Sequence, residues 1–195
     1  MNPQLNGLIL VGGKSRRMQE DKGLMNLHGK PQRLYTWDLL KQAGLENVYF
    51  SCREDQQEEL NGYKTIIDHP DFDGPPDVIL NVLTQFPEKA WLITACDLPL
   101  LTVETLEELI RFRNPDKIAT VFQLPDRNFP EPLIAIWEPS AGDKLKEYFA
   151  SGQRKLIKFL MESEVEVIEP SSPQSLYNMN DPVAREFVRG VIAGK

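Results

Sequence analysis

The sequence is poor in cysteine and histidine, and this scarcity excludes several kinds of site. Its only two cysteines, Cys52 and Cys96, form neither a Cys-x-x-Cys pair nor a Cys/His cluster, so the sequence offers no zinc site. We expect both to be reduced, buried thiols. Its two histidines, His28 and His69, have no evident serine or cysteine partner, which argues against hydrolysis by a nucleophilic triad.

Long apolar runs and an excess of positive charge are also missing. No stretch approaches the roughly 18 apolar residues of a membrane span, so we predict no contact with a membrane. The first residues lack a basic region before an apolar core, and we therefore expect no signal peptide and a cytoplasmic location. The net charge of −7 argues against a nucleic-acid-binding surface, which normally makes a domain basic.

What remains is the composition of an ordinary globular domain, with 195 residues, 41% hydrophobic and 26% charged. This length predicts one domain over 1–195. Strands separated by helices predict an α/β fold with three layers, α/β/α, around a mostly parallel, doubly wound sheet. The predicted strands are 8–11, 47–52, 64–67, 91–96, 118–122, 133–137 and 165–168. The predicted helices are 32–43, 55–60, 78–86, 105–112, 144–150, 155–161 and 182–191.

The stretch from Leu8 to Gly23 carries the strongest chemical signal. An apolar strand runs into Gly12 and Gly13, where the backbone N–H groups become accessible. Four cations follow within nine residues, namely Lys14, Arg16, Arg17 and Lys22. Glycines allow the backbone to approach an anion and the cations neutralise it, so this arrangement predicts a polyphosphate site.

Two better-known phosphate motifs do not fit this stretch. Gly13, Lys14 and Ser15 match the end of a Walker A loop, but the glycine required five positions before Gly13 is Leu8, inside the strand. A dinucleotide-binding fingerprint fails because its third glycine is missing.

The stretch instead resembles the signature L-x-G-G-x-S-x-R-M-x-x-D-K of nucleotidyltransferases with a GT-A-like Rossmann fold. The matching residues are Leu10, Gly12, Gly13, Ser15, Arg17, Met18, Asp21 and Lys22. Within that group the sequence is most similar to the molybdenum cofactor guanylyltransferases. The resemblance implies a fold like that of the nucleotide-diphospho-sugar transferases. The residues that it implies in nucleotide binding are Leu10, Val11, Gly12, Gly13, Lys22, Asp68 and Asp97.

Asp97 is the second residue that we predict to be functional, because it follows directly after a predicted buried strand. Mg²⁺ prefers one or two carboxylates together with phosphate oxygens and waters. An isolated Asp-Leu-Pro is equally compatible with a carboxylate that only caps a turn. The resemblance favours the metal, because residues 96–99 match the family's C-D-x-P step, which carries the magnesium-binding aspartate.

Other implied sites rest on the resemblance alone. It implies that Asn180 contributes to the metal and that Arg154 and Asn178 face the second substrate. The chain departs from the family at Gln19 and Val78, where glycines are usual, at Val11, where alanine is usual, and at Arg53, where guanylyl enzymes often have asparagine.

The implied reaction is Mg²⁺-dependent transfer of GMP from GTP to the phosphate of a molybdopterin-type acceptor, with release of pyrophosphate. Lys22, Arg17 and Asp97 are the predicted catalytic residues. The Gly-Gly pair is the family's indication of guanine, since cytidylyl relatives tend to have Ala-Gly there. The product implies transient contact with molybdoenzymes or cofactor-synthesis proteins. Two alternatives stay open: a related nucleotidyltransferase that uses another NTP or a sugar 1-phosphate, and a nucleotide-binding relative without catalysis.

Overall fold

A seven-stranded sheet forms the middle layer of the computed structural model, which describes residues 2–12 and 21–194. The strands are β1 (Leu5–Leu10), β2 (Val48–Cys52), β3 (Lys64–Ile67), β4 (Ala90–Ala95), β5 (Ala119–Phe122), β6 (Glu131–Trp137) and β7 (Val165–Ile168). Their order in the sheet is β3-β2-β1-β4-β6-β5-β7. The predicted mostly parallel sheet is confirmed, because only β6 runs antiparallel to its neighbours, β4 and β5.

The orientation of β6 follows from the short connection before it. Only residues 123–130 link β5 to β6, and no helix lies between them. A parallel pair would need a crossover of about a dozen residues or more, whereas a short connection brings the next strand back antiparallel.

Helices cover both faces of the sheet, which confirms the predicted three layers. The described helices are α1 (Gln32–Gln42), α2 (Pro75–Gln85), α3 (Val103–Arg111), α4 (Ala141–Ala150), α5 (Leu156–Met161) and α6 (Pro182–Ala193). The first five cover the sheet, and α6 packs against Met25 and Met179. Leu8 of β1 packs into the core beneath α2, α4 and α5, and Ile9 packs into the core beneath α1 and α3. Both side chains are fully buried, as expected for a central strand with a helix layer on each face.

Helix α2 begins at Pro75, three residues before the predicted start. Proline suits the first helical position because its fixed φ matches the helix and its missing N–H has no partner to lose there. Gly74 before it has φ 111°, a conformation that favours glycine. Val78, which stands where the family usually has a glycine, is a buried residue in the first turn of α2.

The predicted helix at 55–60 is wrong. The segment forms two 3₁₀ turns, Glu54–Gln56 and Glu58–Leu60. Gln56 is buried and its side chain accepts from the Arg53 N–H, which closes the first turn tightly at its start. A further 3₁₀ turn, Pro173–Leu176, lies between β7 and α6.

Both cysteines are free and buried, as predicted. No helix in the described part of the chain has the length and hydropathy needed to cross a membrane. The loops after the parallel strands β1, β2, β3 and β4 leave the sheet at its carboxyl edge, where this class of fold places its ligands.

Candidate nucleotide-binding site

Gly12, just beyond β1, lies against the carboxylate of Asp68. A Cβ atom on Gly12 would fall 2.1 Å from Asp68 Oδ2, far inside any real contact distance. The Gly12 carbonyl accepts a hydrogen bond of 2.8 Å from Arg53 Nη1. The glycine is therefore required by the close approach of the loop after β3 to the end of β1.

Asp68 is held by two contacts to β2. Its backbone N–H donates to the Cys52 carbonyl over 2.8 Å, and the Ser51 hydroxyl donates to its Oδ1. Burial raises the pKa of the Asp68 carboxyl, while the hydrogen bond from Ser51 and the charge of Arg53 act in the opposite direction. Asp68 thus presents a partly desolvated carboxylate beside the backbone of Gly12.

This raised pKa gives a testable dependence of stability on pH. Because the pKa is higher in the folded chain than in the unfolded one, the contribution of Asp68 to stability is complete below the unfolded value and is lost as pH rises through the folded value. The change in the free energy of unfolding that Asp68→Asn causes should therefore be more positive at pH 7 than at pH 4. Urea unfolding at the two pH values measures this difference. Asp126→Asn, which removes an exposed carboxylate, is the control. The same difference between the two pH values for both variants would contradict the burial of the Asp68 charge.

Lys22 is positioned by a capped turn. The 3₁₀ turn Lys22–Leu24 begins after Asp21, whose Oδ1 accepts from the Gly23 N–H over 2.8 Å. The Lys22 ammonium donates to Asn180 Oδ1 at 2.6 Å and lies 3.4 Å from Asp97 Oδ2. Only 12% of the Lys22 side chain is exposed, so its charge is directed into the molecule.

Asp97 is fixed through its backbone by the chain segment before α6. Its carbonyl accepts from the Met179 N–H at 2.9 Å, and Met179 is fully buried against Met25 and Ala184. Burial of Met179 sets the position of Asn180, the next residue, beside the Lys22 ammonium. Three segments distant in sequence therefore meet at Lys22, Asp97 and Asn180.

The donor set at Asp97 fits a hard divalent cation. Its Oδ1 is buried and has no hydrogen-bond partner among residues 2–12 and 21–194, so it is an acceptor with unused capacity. The Asn180 amide oxygen, which accepts from the same Lys22 ammonium that pairs with Asp97, is a second hard ligand. No group of three or more His, Cys, Asp or Glu side chains that could hold a metal occurs in the described residues. Mg²⁺ does not need one, since it commonly takes one or two protein oxygens and completes its shell with phosphate and water.

These groups line one cleft of about 1040 Å³, large enough for a nucleotide. The predicted site residues that it brings together are Leu10, Val11, Gly12, Lys22, Asp68, Asp97 and Asn180. The fold thus brings the backbone of Gly12, a cation and a carboxylate with an unsatisfied oxygen into one cleft, which suits a polyphosphate and its counterion.

The described lining of the cleft does not include the other predicted residues. Gly13, Arg17 and Gln19 fall outside the described residues. Arg154 Nη1 donates to the carbonyls of Phe149 and Gln153, at 2.8 and 3.0 Å, and the described lining of the cleft does not include it. Asn178 is exposed and is likewise absent from that lining, so the acceptor-binding roles of Arg154 and Asn178 stay predictions.

Sequence reasoning missed Ser51 and Gln56 and gave no role to Arg53. Ser51 lies near the carboxyl end of β2, and this position on a strand next to β1 was the available signal. Nothing in the local pattern singles out Gln56, whose contacts depend on tertiary structure.

Comparison with known proteins agrees with this geometry. Residues 7–167 match the model of the MobA-like NTP transferase domain. The Molybdenum cofactor biosynthesis bifunctional protein of Synechocystis sp. is 35% identical over 180 residues, which are 91% of this chain and 52% of that protein, so this chain spans about half of its length. The Molybdenum cofactor guanylyltransferase of Shewanella sp. (strain W3-18-1) is 27% identical over 95% of this chain and 96% of its own. The crystal structure of Molybdopterin-guanine dinucleotide biosynthesis protein A from Archaeoglobus fulgidus superimposes with a TM-score of 0.78, at 25% identity, over 97% of this chain and 100% of that one.

Proposed function

This chain belongs to the MobA-like NTP transferase family, and from that premise we propose that it transfers GMP from GTP to the terminal phosphate of a molybdopterin-type acceptor. The observation that carries the proposal is the meeting of Lys22, Asp97 and Asn180 in the cleft that Gly12 and Asp68 also line. The name of the Shewanella relative, a molybdenum cofactor guanylyltransferase, supports the choice of guanine and of the acceptor.

In the proposed reaction an oxygen of the acceptor phosphate forms a bond to the α-phosphorus of GTP. The bond from that phosphorus to the bridging oxygen of the β-phosphate breaks, and pyrophosphate leaves with the electron pair. A phosphate monoester has a second pKa of about 6 and is largely a dianion at neutral pH. No protein group therefore has to remove a proton, and the protein's task is to align two anions that repel each other.

Lys22 is suited to neutralise the charge on the triphosphate. Its side chain is only 12% exposed, and the two partners of its ammonium, Asp97 and Asn180, fix its direction. A preorganised charge of this kind stabilises developing negative charge without reorganisation during the reaction. Asp97 and Asn180 would hold Mg²⁺, which when bound neutralises phosphate oxygens.

The part of the cleft lined by Asp68 and Gly12 is suited to the nucleoside. Asp68 offers carboxylate oxygens, and the carbonyls of Val11 and Gly12 each retain a second lone pair beyond their contacts to Gln56 and Arg53. Guanine carries N–H donors on its pairing edge, and acceptors of this kind complement them. The dinucleotide product would then pass by transient contact to molybdoenzymes or to other cofactor-synthesis proteins.

The test is transfer of label from [α-³²P]GTP and [α-³²P]CTP to molybdopterin in the presence of Mg²⁺. We expect labelled dinucleotide from GTP at a rate at least about tenfold above that from CTP, the factor that about 1.4 kcal/mol of discrimination supplies. Equal or faster transfer from CTP would remove the guanine assignment. Transfer to a sugar 1-phosphate but not to molybdopterin would remove the acceptor assignment, and binding of GTP without transfer to any acceptor would leave a nucleotide-binding protein without catalysis.

A further inference from the structure

Gln56 is a buried polar residue that has no role in the proposed chemistry, although its partners Val11 and Asp21 line the cleft. It is 4% exposed and lies in the 3₁₀ turn after β2. Its Nε2 donates to the Val11 carbonyl at 3.2 Å and to Asp21 Oδ2 at 3.3 Å. Its Oε1 accepts from the Arg53 N–H at 3.1 Å. One carboxamide therefore connects three separate parts of the chain.

Two contacts of Gln56 join it to the parts of the chain that precede and follow residues 13–20 in the sequence. Val11 precedes Gly12 before this segment, and Asp21 precedes Lys22 after it. A second contact from the same turn, in which Arg53 Nη1 donates to the Gly12 carbonyl, also fixes the chain just before residue 13. The turn after β2 thus sets the separation between Gly12 and the turn that carries Lys22.

The connection from Gln56 to Lys22 runs through Asp21. One carboxylate oxygen of Asp21 accepts from Gln56, and the other accepts from the Gly23 N–H and caps the turn Lys22–Leu24. Asp21 therefore has a fixed orientation, and the direction of the Lys22 side chain toward Asp97 depends on that turn.

We propose that Gln56 is a positioning residue that holds Gly12 and Lys22 at the separation a nucleoside triphosphate requires. The proposal rests on the nucleotidyl transfer proposed above, although Gln56 itself does not line the cleft among the described residues. The chemistry requires glutamine at this position, since its amide supplies two N–H donors and an acceptor at once. Glutamate would supply acceptors only and would place a second carboxylate beside Asp21.

The test compares Gln56→Glu with Gln57→Glu, the same chemical change at the neighbouring exposed position. Two quantities are measured: the Kd for Mg²⁺-GTP by titration calorimetry, and hydrogen–deuterium exchange in peptides covering residues 21–25. For Gln56→Glu we expect the Kd to rise by at least about tenfold and exchange in 21–25 to accelerate by at least about tenfold, because a buried hydrogen-bond network is broken. For Gln57→Glu we expect both quantities to stay within about twofold of the unmutated chain.

A donor–acceptor exchange separates positioning from a general loss of stability. In Asp21→Asn/Gln56→Glu the asparagine amide can donate to the new carboxylate, and the asparagine oxygen can still cap Gly23. We expect this double variant to recover at least about half of the lost affinity on a logarithmic scale, whereas a purely structural defect would become worse with the second substitution.

The outcomes distinguish this inference from the proposed function. If the unmutated chain does not bind GTP, the proposed function fails, and the exchange measurement alone decides whether Gln56 holds the Lys22 turn. If the unmutated chain binds GTP and Gln56→Glu matches Gln57→Glu in both affinity and exchange, the inference is overturned. If Gln56→Glu does not fold, Gln56→Met, which removes the same hydrogen bonds without adding charge, replaces it with the same expectations.

Discussion

Replacing Lys22 with alanine is expected to lower kcat/KM for GTP by about 10²–10³-fold. This loss is typical of removing one preorganised protein group that stabilises the charge on the reacting atoms. The Lys22 side chain is only 12% exposed, and its ammonium is directed by Asn180 and Asp97. Without it, Asp97 would face the triphosphate with no described cation paired to it, and two negative charges would repel. Steady-state transfer kinetics with GTP as the varied substrate measure the effect.

Lys30→Ala is the matched control for Lys22→Ala. Lys30 forms a surface ion pair with Asp38, and its side chain is 47% exposed. Its removal should change kcat/KM by less than about twofold, because exposed ion pairs contribute little. Similar kinetics for both variants would show that Lys22 does not act on the triphosphate.

The second large effect is expected from Gly12→Ala. The new Cβ would lie 2.1 Å from Asp68 Oδ2, so either the carboxylate or the end of β1 has to move. The Ser51 hydroxyl and the backbone contact to Cys52 hold Asp68 in place, and Arg53 holds the Gly12 carbonyl. We expect kcat/KM for GTP to fall by about 10²-fold, since an error of about 1 Å in positioning can lower a reaction rate by this factor. Steady-state transfer kinetics with GTP as the varied substrate measure it.

Two further variants show whether the contact with Asp68 is the cause. Gly12→Ala should lower the free energy of unfolding in the unmutated chain and change it much less when Asp68 is already alanine, because the clash is then absent. Gly190→Ala in α6, where no described atom lies within 4 Å of the new Cβ, should instead stabilise the chain by up to about 1 kcal/mol. Equal losses from Gly12→Ala with and without the Asp68 carboxylate would contradict this explanation.

The sequence predicted those parts of the fold that depend on local pattern. The apolar run that ends at Gly12 and the strand that ends before Cys96 have the composition of strands buried on both faces, and they are neighbours in the sheet. The carboxyl ends of neighbouring parallel strands meet at one edge. This explains why Lys22 and Asp97, 75 residues apart, could be expected to converge, and they lie 3.4 Å apart.

Features set by long-range contacts were not predictable in this way. The 3₁₀ turn at Glu54–Gln56 has a polar sequence compatible with a helix, and only the contacts of Gln56 to Val11 and Asp21 show why it departs from one. Asn180 reaches Lys22 across 158 residues, because burial of Met179 fixes the chain before α6. The resemblance to a family suggested Asn180, but neither periodicity nor spacing did.

The most direct test of the central claim is the effect of Mg²⁺ on GTP affinity in the unmutated chain and in Asp97→Asn. Titration of GTP with and without Mg²⁺ gives a coupling factor between metal and nucleotide. If Asp97 holds the cation beside the triphosphate that Lys22 contacts, Mg²⁺ should tighten GTP binding by at least about tenfold in the unmutated chain, and Asp97→Asn should lose this enhancement while its metal-free affinity stays within about threefold. The same enhancement in Asp97→Asn and in the unmutated chain would contradict the account.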